Sequence, residues 1–240
     1  SPDLRAALRF PEDHQVDNRL LADALRKAAV DAAVRIRSGE TVTAVLREAG
    51  RIAGVVLASG ERIAARAVII AGGAASGDIG GLPAPLPVRP VYGQLLSLRP
   101  GAPLIRHVLD SPRIYLVPRS DGRVIVGATV EEVGFRTGVT AGGMHTLLAA
   151  ALELVPELAA APLAESWSGH RPGTPDGLPI LGPDPDLPGL IYATGHYRNG
   201  ILLTPITALV VADLILGRAP RHDLTPFGVE RFRDADPPSA

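Results

Sequence analysis

Cysteine is absent from this 240-residue chain. Disulfides, thiolate metal sites and cysteine nucleophiles are therefore excluded. Aromatic residues make up only 4% of the sequence, too few for a platform on which nucleic-acid bases stack. Neither sign of charge is in surplus: 24 Lys and Arg face 25 Asp and Glu, for a net charge of -1. Nothing here recruits a nucleic acid or an anionic membrane by charge, and neither is expected as a partner. Long hydrophobic runs are missing too. The stretch Ile201 to Leu216 is interrupted by Thr204, Pro205, Thr207 and Asp213, and falls short of the ~20 residues of a spanning helix. These features are compatible with a cytoplasmic location. The chain opens on Ser1-Pro2-Asp3 without methionine and reads as a piece of a longer protein, so a targeting signal is outside its reach.

Several catalytic signatures are also lacking. The six histidines form neither H-x-x-x-H nor H-E-x-x-H, so no metal is expected. There is no G-x-S-x-G elbow. Ser168, His170 and Asp176 are near one another in sequence, but triads are assembled by the fold rather than by local spacing.

What is present is enough apolar sequence, 46%, for one large domain or two smaller ones. Asn18 to Ile36 has the period of an amphipathic helix, with Leu21, Ala24, Leu25, Ala28, Ala29 and Ala32 on one stripe. The period then changes to two. Thr41 to Glu48, Arg51 to Leu57 and Glu61 to Ala65 read as strands separated by turns at Ala49-Gly50 and Ser59-Gly60. Ala67 to Ala71 is a continuous apolar run, the pattern of a strand buried on both faces. After a Gly/Pro-rich loop, Gly72 to Pro90, strand patterns return at Val91 to Leu98, Ile105 to Leu109, Ile114 to Val117 and Val124 to Val130, with Ser120-Asp121-Gly122 as a hairpin turn. A helix capped by Thr140 is expected over Thr140 to Val155. Leu163 to Gly169 and Leu190 to Thr194 read as strands, Arg171 to Pro188 as a loop, and Ile201 to Leu216 as a buried helix. The polar tail after Pro226 is expected to fray.

Gly72-Gly73-Ala74-Ala75-Ser76-Gly77 follows a strand and fits a loose G-x-A-x-x-G. A dinucleotide fingerprint also opens a helix and has an acid about 20 residues further on. Here prolines follow, and Tyr92 to Ser97 holds no acid, so an exit from a strand through small residues is the plainer reading. More specific are "GHRPGTPDGLPILG", Gly169 to Gly182, and "GHYRNGILLTP", Gly195 to Pro205. Each places an arginine, Arg171 or Arg198, at the end of a short strand. Alone, either reads as an ordinary surface arginine.

As a pair, these segments resemble the D-amino-acid oxidase family of FAD-dependent oxidoreductases, and within it the glycine oxidases of thiamin biosynthesis. "RIYLVPRSDGRVIVGATVEEVGF" and "ARAVIIAGGAAS" share in the likeness, which runs from about Pro11 to Phe232. The resemblance implies an α/β and α+β fold: a partial FAD-binding Rossmann-like domain with an interleaved antiparallel-sheet substrate domain. It implies a flavin domain made of residues 14–85 and 171–235, and a substrate domain made of 1–13 and 86–170. The family's opening G-x-G-x-x-G unit, which binds the FAD pyrophosphate, is not in this chain; a missing N-terminal segment is expected, and weak FAD binding without it.

The same resemblance implies roles for particular residues. Val42 would contact adenine through its backbone. Gly72, Gly73, Gly195, His196, Arg198, Asn199, Gly200 and Ile201 would line the cofactor, with the helix that starts near Ile201 pointing its positive end at the flavin ring. Gly195 and Gly200 would let the backbone approach the ring, and Asn199 would cap the helix or hold the turn. Arg171 would pair with a substrate carboxylate, Tyr115 would add a hydroxyl contact, and Arg198 would shape the site. For Tyr115 a core position on a strand is an equally good reading. The implied reaction is oxidation of glycine or another small amino acid to an imine and 2-oxo acid, with O2 reduced to H2O2. Sarcosine-type relatives often hold flavin through a cysteine, so its absence implies non-covalent FAD. The resemblance leaves open a sarcosine-type oxidase, a D-amino-acid dehydrogenase, a homo-oligomer, and an accessory chain inactive without a partner.

Overall fold

The computed structural model describes residues 5–233. In chain order come helix α1 (Asn18–Asp31) and strands β1 (Val42–Glu48), β2 (Arg51–Leu57), β3 (Arg62–Ala64) and β4 (Val68–Ile70). Strands β5 (Arg89–Leu98), β6 (Leu109–Asp110), β7 (Tyr115–Pro118) and β8 (Val124–Gly127) follow, then α2 (Ala141–Leu154). The chain continues with β9 (Leu163–Gly173), β10 (Ile180–Pro183), β11 (Leu190–Thr194) and α3 (Gly200–Ile215). Short 3-10 turns lie at Gly73–Asp78, Pro156–Ala160, Thr225–Phe227 and Val229–Phe232. The chain divides into two compact units. One gathers the residues up to Arg35 with Tyr92–His170; the other gathers Ile36–Val91 with the residues from Arg171 on. The long strands β5 and β9 carry the chain across these boundaries.

The unit of Tyr92–His170 is built on a five-stranded sheet in the order β6-β7-β8-β5-β9. Leu96, Leu98, Leu116, Val124 and Val126 of this sheet are buried with Leu147, Ala150 and Ala151 of α2. Those three helix residues recur at the i, i+3, i+4 spacing of one helical stripe. The Thr140 hydroxyl accepts from the backbone N–H of Gly143, so the expected cap forms.

Helix α1 groups with this unit, whereas the resemblance assigned residues 14–35 to the flavin domain. Polar contacts hold it there. Gln15 donates to the Pro118 carbonyl at 2.7 Å, Arg119 donates to Gln15 at 2.9 Å, and Arg19 pairs with Glu165 at 2.9 Å and lies over the Trp167 ring. The helix also stops at Asp31 rather than Ile36, because Ala33 turns left-handed at φ 59°. Its apolar stripe buries no residue fully. Residues 1–4 and 234–235 of the expected domains lie outside the described residues.

The other unit has two three-stranded sheets. Strands β1, β2 and β3 form an antiparallel meander whose first turn, Ala49-Gly50, has both φ values positive (48° and 75°), the geometry that matches strand twist. The second sheet runs β10-β11-β4, with β11 and β4 parallel and Tyr192 in register with Ile70. Val45, Ile52, Ile70, Leu86, Val88, Ile180, Leu190, Tyr192 and Val229 form the core. Leu86 and Val88, just past the expected boundary at 85/86, pack in this core.

Three expectations are corrected. The expected loop Arg171 to Pro188 contains β10, which pairs with β11 from Ile180↔Thr194 to Pro183↔Ile191. Strand β4 is an edge of its sheet, and Ile69 is 42% exposed rather than buried on both faces. The segment after Pro226 is packed through Arg233: Val229 is buried, and Arg233 pairs with Asp184 at 2.7 Å.

Candidate functional site

The parallel strands β4 and β11 end side by side, and each runs into a glycine turn. Gly72 and Gly73 follow β4, while Gly195 follows β11. Hydroxyls join the two ends. The Thr194 hydroxyl donates to the Gly73 carbonyl at 3.2 Å and lies 2.7 Å from the hydroxyl of fully buried Ser76. The carboxyl ends of neighbouring parallel strands are where open α/β sheets bind ligands. Gly73 has φ 56°, and a Cβ placed on it would meet no atom within 4 Å, so its outer face is open. Val42 is half-buried at the start of β1, in register with Leu57.

Gly195 has φ 73°, and a Cβ there would meet Thr174 Cγ2 at 2.6 Å. Both conformation and space require glycine at this turn. The turn continues through Tyr197, itself left-handed at φ 48°. The Tyr197 N–H donates to the Pro172 carbonyl at 3.0 Å, and the Asn199 N–H to the His196 carbonyl at 2.9 Å. The first of these bonds ties the Arg171-Pro172 segment to the turn before α3, bringing together two motifs that lie far apart in sequence.

Helix α3 begins at Gly200 with Asn199 in the capping position, yet no side chain caps it. Asn199 therefore holds the turn through its backbone and not the helix through its side chain. An uncapped helix start leaves backbone N–H groups and the positive end of the helix dipole available to an electron-rich group. The polar cluster is less buried than expected: His196 and Tyr197 are half-buried, Arg198 and Asn199 exposed, and Ile201 is 47% exposed. The helix itself was expected to be buried, but Val210 is its only fully buried residue, because it packs on β10 and β11 along one side.

His196 reaches from the turn to the helix that follows it. Its Nε2 lies 3.0 Å from the hydroxyl of Thr207 on α3. Burial pushes its pKa below the ordinary 6.5, so the neutral ring is favoured near pH 7. Arg171 is half-buried at the end of β9. Tyr115 lies in the other unit, half-buried at the start of β7, and its hydroxyl has no hydrogen-bond partner among the described residues.

Ser76, Thr194 and Thr207 were not singled out in the sequence. Ser76 was visible only as a small residue in a glycine run. Nothing local signals that it meets Thr194, which is 118 residues away. Two features suit a flavin: the open glycine turn after β4 and the uncapped start of α3. Among the described residues, no three His, Cys, Asp or Glu side chains are grouped to hold a metal.

Residues 1–214 match the DAO family, described as FAD dependent oxidoreductase. The chain is 47% identical over 227 residues to the bifunctional protein ThiO/ThiG of Nostoc sp., covering 92% of this chain and 34% of that protein. It is 40% identical over 231 residues to the glycine oxidase of Geobacillus kaustophilus, covering 95% of this chain and 60% of that one. The crystal structure of glycine oxidase from Geobacillus kaustophilus superimposes with a TM-score of 0.82 over 87% of this chain and 56% of that chain. The chain thus spans between about a third and three-fifths of the length of these curated relatives.

Proposed function

The chain belongs to the DAO family of FAD-dependent oxidoreductases, and from that premise we propose that it is part of an enzyme that oxidises glycine or another small amino acid. The observation that carries this reading is the bond from Tyr197 N–H to the Pro172 carbonyl, which joins the Arg171 segment to the glycine-flanked turn before α3. An anion-binding arginine and a surface suited to a flavin edge then belong to one site. Relatives named glycine oxidase and ThiO/ThiG support the choice of substrate and a role in the thiazole branch of thiamin biosynthesis.

When bound, FAD supplies two-electron redox chemistry, and O2 is the proposed final acceptor. The amino acid loses its Cα–H and one N–H, with two electrons, and becomes an imine. O2 gains two electrons and two protons and becomes H2O2. Water hydrolyses the imine to the 2-oxo acid and ammonia.

The residues of the chain bind and orient. Val42 at the start of β1 and Gly72 and Gly73 after β4 would hold the cofactor. Gly195, His196, Arg198, Asn199, Gly200 and Ile201 present backbone and polar groups to its flavin edge, where the dipole of α3 favours developing negative charge. Arg171 forms a bidentate pair with the substrate carboxylate, a geometry that lysine does not reproduce. Tyr115 donates its hydroxyl to the substrate, and Arg198 shapes the site. Neutral His196 keeps a second positive charge away from the turn.

Arg171→Ala in the complete enzyme tests this reading. Removing one partner of a desolvated, charge-assisted pair costs roughly 2–5 kcal/mol, so KM for glycine should rise about 30-fold or more. FAD content should stay unchanged, and an amine lacking the carboxylate should lose little further activity. Near-normal kinetics with amino acids, or loss of FAD, would show that Arg171 does not hold the carboxylate.

A further inference from the structure

Gly127 ends β8, fully buried, in register with Tyr115 on β7 and with Leu95 on β5. Glycine in the middle of a sheet has a cost: it lacks a side chain to pack and loses more conformational freedom than other residues. Its φ is not what calls for glycine, because Gly127 is not among the glycines with positive φ. Space does. A Cβ at Gly127 would lie 2.5 Å from Tyr115 Cζ, 2.5 Å from its hydroxyl oxygen and 2.6 Å from Cε2. The hydroxyl end of the phenol occupies the place where any other residue has its side chain.

The backbone behind this contact is anchored. Strand β8 pairs with β5 on one side and β7 on the other. Just beyond it, the Gln94 N–H donates to the Thr129 hydroxyl at 2.9 Å, and the Gln94 side-chain amide donates to Glu131 at 2.7 Å. The Thr129 hydroxyl donates to the same carboxylate at 2.6 Å. Gln94 is wholly buried and seated against Gly143, where a Cβ would meet its side-chain amide at 2.4 Å. With β8 held in this way, a methyl group at Gly127 is accommodated by movement of the Tyr115 ring rather than of the strand.

We infer that Gly127 is a positioning residue for substrate binding: its missing side chain seats the Tyr115 phenol and so sets where its hydroxyl is presented. This rests on the reading that Tyr115 contacts the substrate. Glycine in "VIVGAT" then acts through Tyr115 and touches no substrate itself.

The test is a cycle of variants in the FAD-loaded complete enzyme, with free glycine as substrate. Gly127→Ala should raise KM about tenfold, the loss of one hydrogen bond to a charged group, with a smaller change in kcat. Tyr115→Phe should raise KM by a similar factor, and adding Gly127→Ala to it should raise KM no further. Melting temperature supplies a readout independent of activity. Gly127→Ala should lower Tm when Tyr115 is present and should not do so in Tyr115→Ala, where the ring is gone. If Gly127→Ala alone does not fold, the Tyr115→Ala/Gly127→Ala protein should fold, and its failure to do so would overturn the inference. Equal KM increases with and without the hydroxyl, or equal Tm losses with and without the ring, would overturn it as well. A wild-type KM in Tyr115→Phe would remove the substrate role of Tyr115, and with it the positioning role of Gly127, even where the Tm cycle shows the ring to be seated there.

Discussion

His196 carries a pH dependence that can be measured without substrate. Burial lowers its pKa below the ordinary 6.5, so the folded protein binds this proton less readily than the unfolded chain does. The stability linked to the neutral ring is complete above pH 6.5 and is lost as pH falls from there through the lower folded value. Denaturation midpoints followed from about pH 8 to about pH 5 should therefore fall more steeply for wild type than for His196→Gln, which has no proton to gain. Parallel profiles would show that His196 titrates equally in the folded and unfolded states. The residue was legible in the sequence as part of Gly-His-x-Arg-Asn-Gly. Its partner Thr207 was not, because an 11-residue separation across a turn and a helix follows no local period. Arg198 illustrates the opposite case: the motif named it, and the structure leaves its side chain exposed.

Among the secondary-structure elements, Asp184 after β10 does what a cap or a disulfide does elsewhere. Its side chain is 0% exposed. It accepts from the backbone N–H of Asp186 and Leu187, from the Tyr192 hydroxyl at 2.7 Å and from Arg233 at 2.7 Å. One carboxylate thereby joins the end of β10, the middle of β11 and the segment after Val229. Burial, and after it the Asp184 carboxylate, raise the Tyr192 phenol far above its usual pKa. Asp184→Ala would leave the buried Tyr192 phenol without its acceptor and the Arg233 guanidinium with Asp186 alone. Removing one partner of a buried pair costs about 3–5 kcal/mol. Urea unfolding should show stability lower by that amount with an unchanged slope. A change under about 1 kcal/mol, the value of an exposed pair, would show that the segment after Val229 contributes little to the unit. Strand β10 was read as loop because Ile180-Leu181-Gly182-Pro183 is short and flanked by Pro, Gly and Asp. Pairing with β11, not propensity, makes it a strand.

For the molecule as a whole, the absence of cysteine carries a prediction about the cofactor. In the complete enzyme, FAD should be released into the supernatant by acid precipitation. Flavin retained in the pellet would point instead to attachment through a histidine or tyrosine. The division into two units separates residues that the motifs bring together. Arg171 begins the stretch that shares a core with β1, β4 and β11, whereas Tyr115 belongs with α2.

Much of the fold is written locally in the residues. Turn glycines at Gly50, Gly60 and Gly122, period-two alternation and the Thr140 cap locate most strands and α2 closely, because backbone conformation and one-sided burial are local properties. The paired arginine motifs pointed to the family, and the missing cysteine narrowed its chemistry. Tertiary structure alone decided that Ser76 meets Thr194, that Pro172 receives a bond from Tyr197, that α1 joins the sheet of Tyr92–His170, and that Gly127 lies under the ring of Tyr115. Each of these depends on which strand lies beside which and in what register. Register between distant segments is set by the summed packing of a face, which no short stretch of sequence encodes.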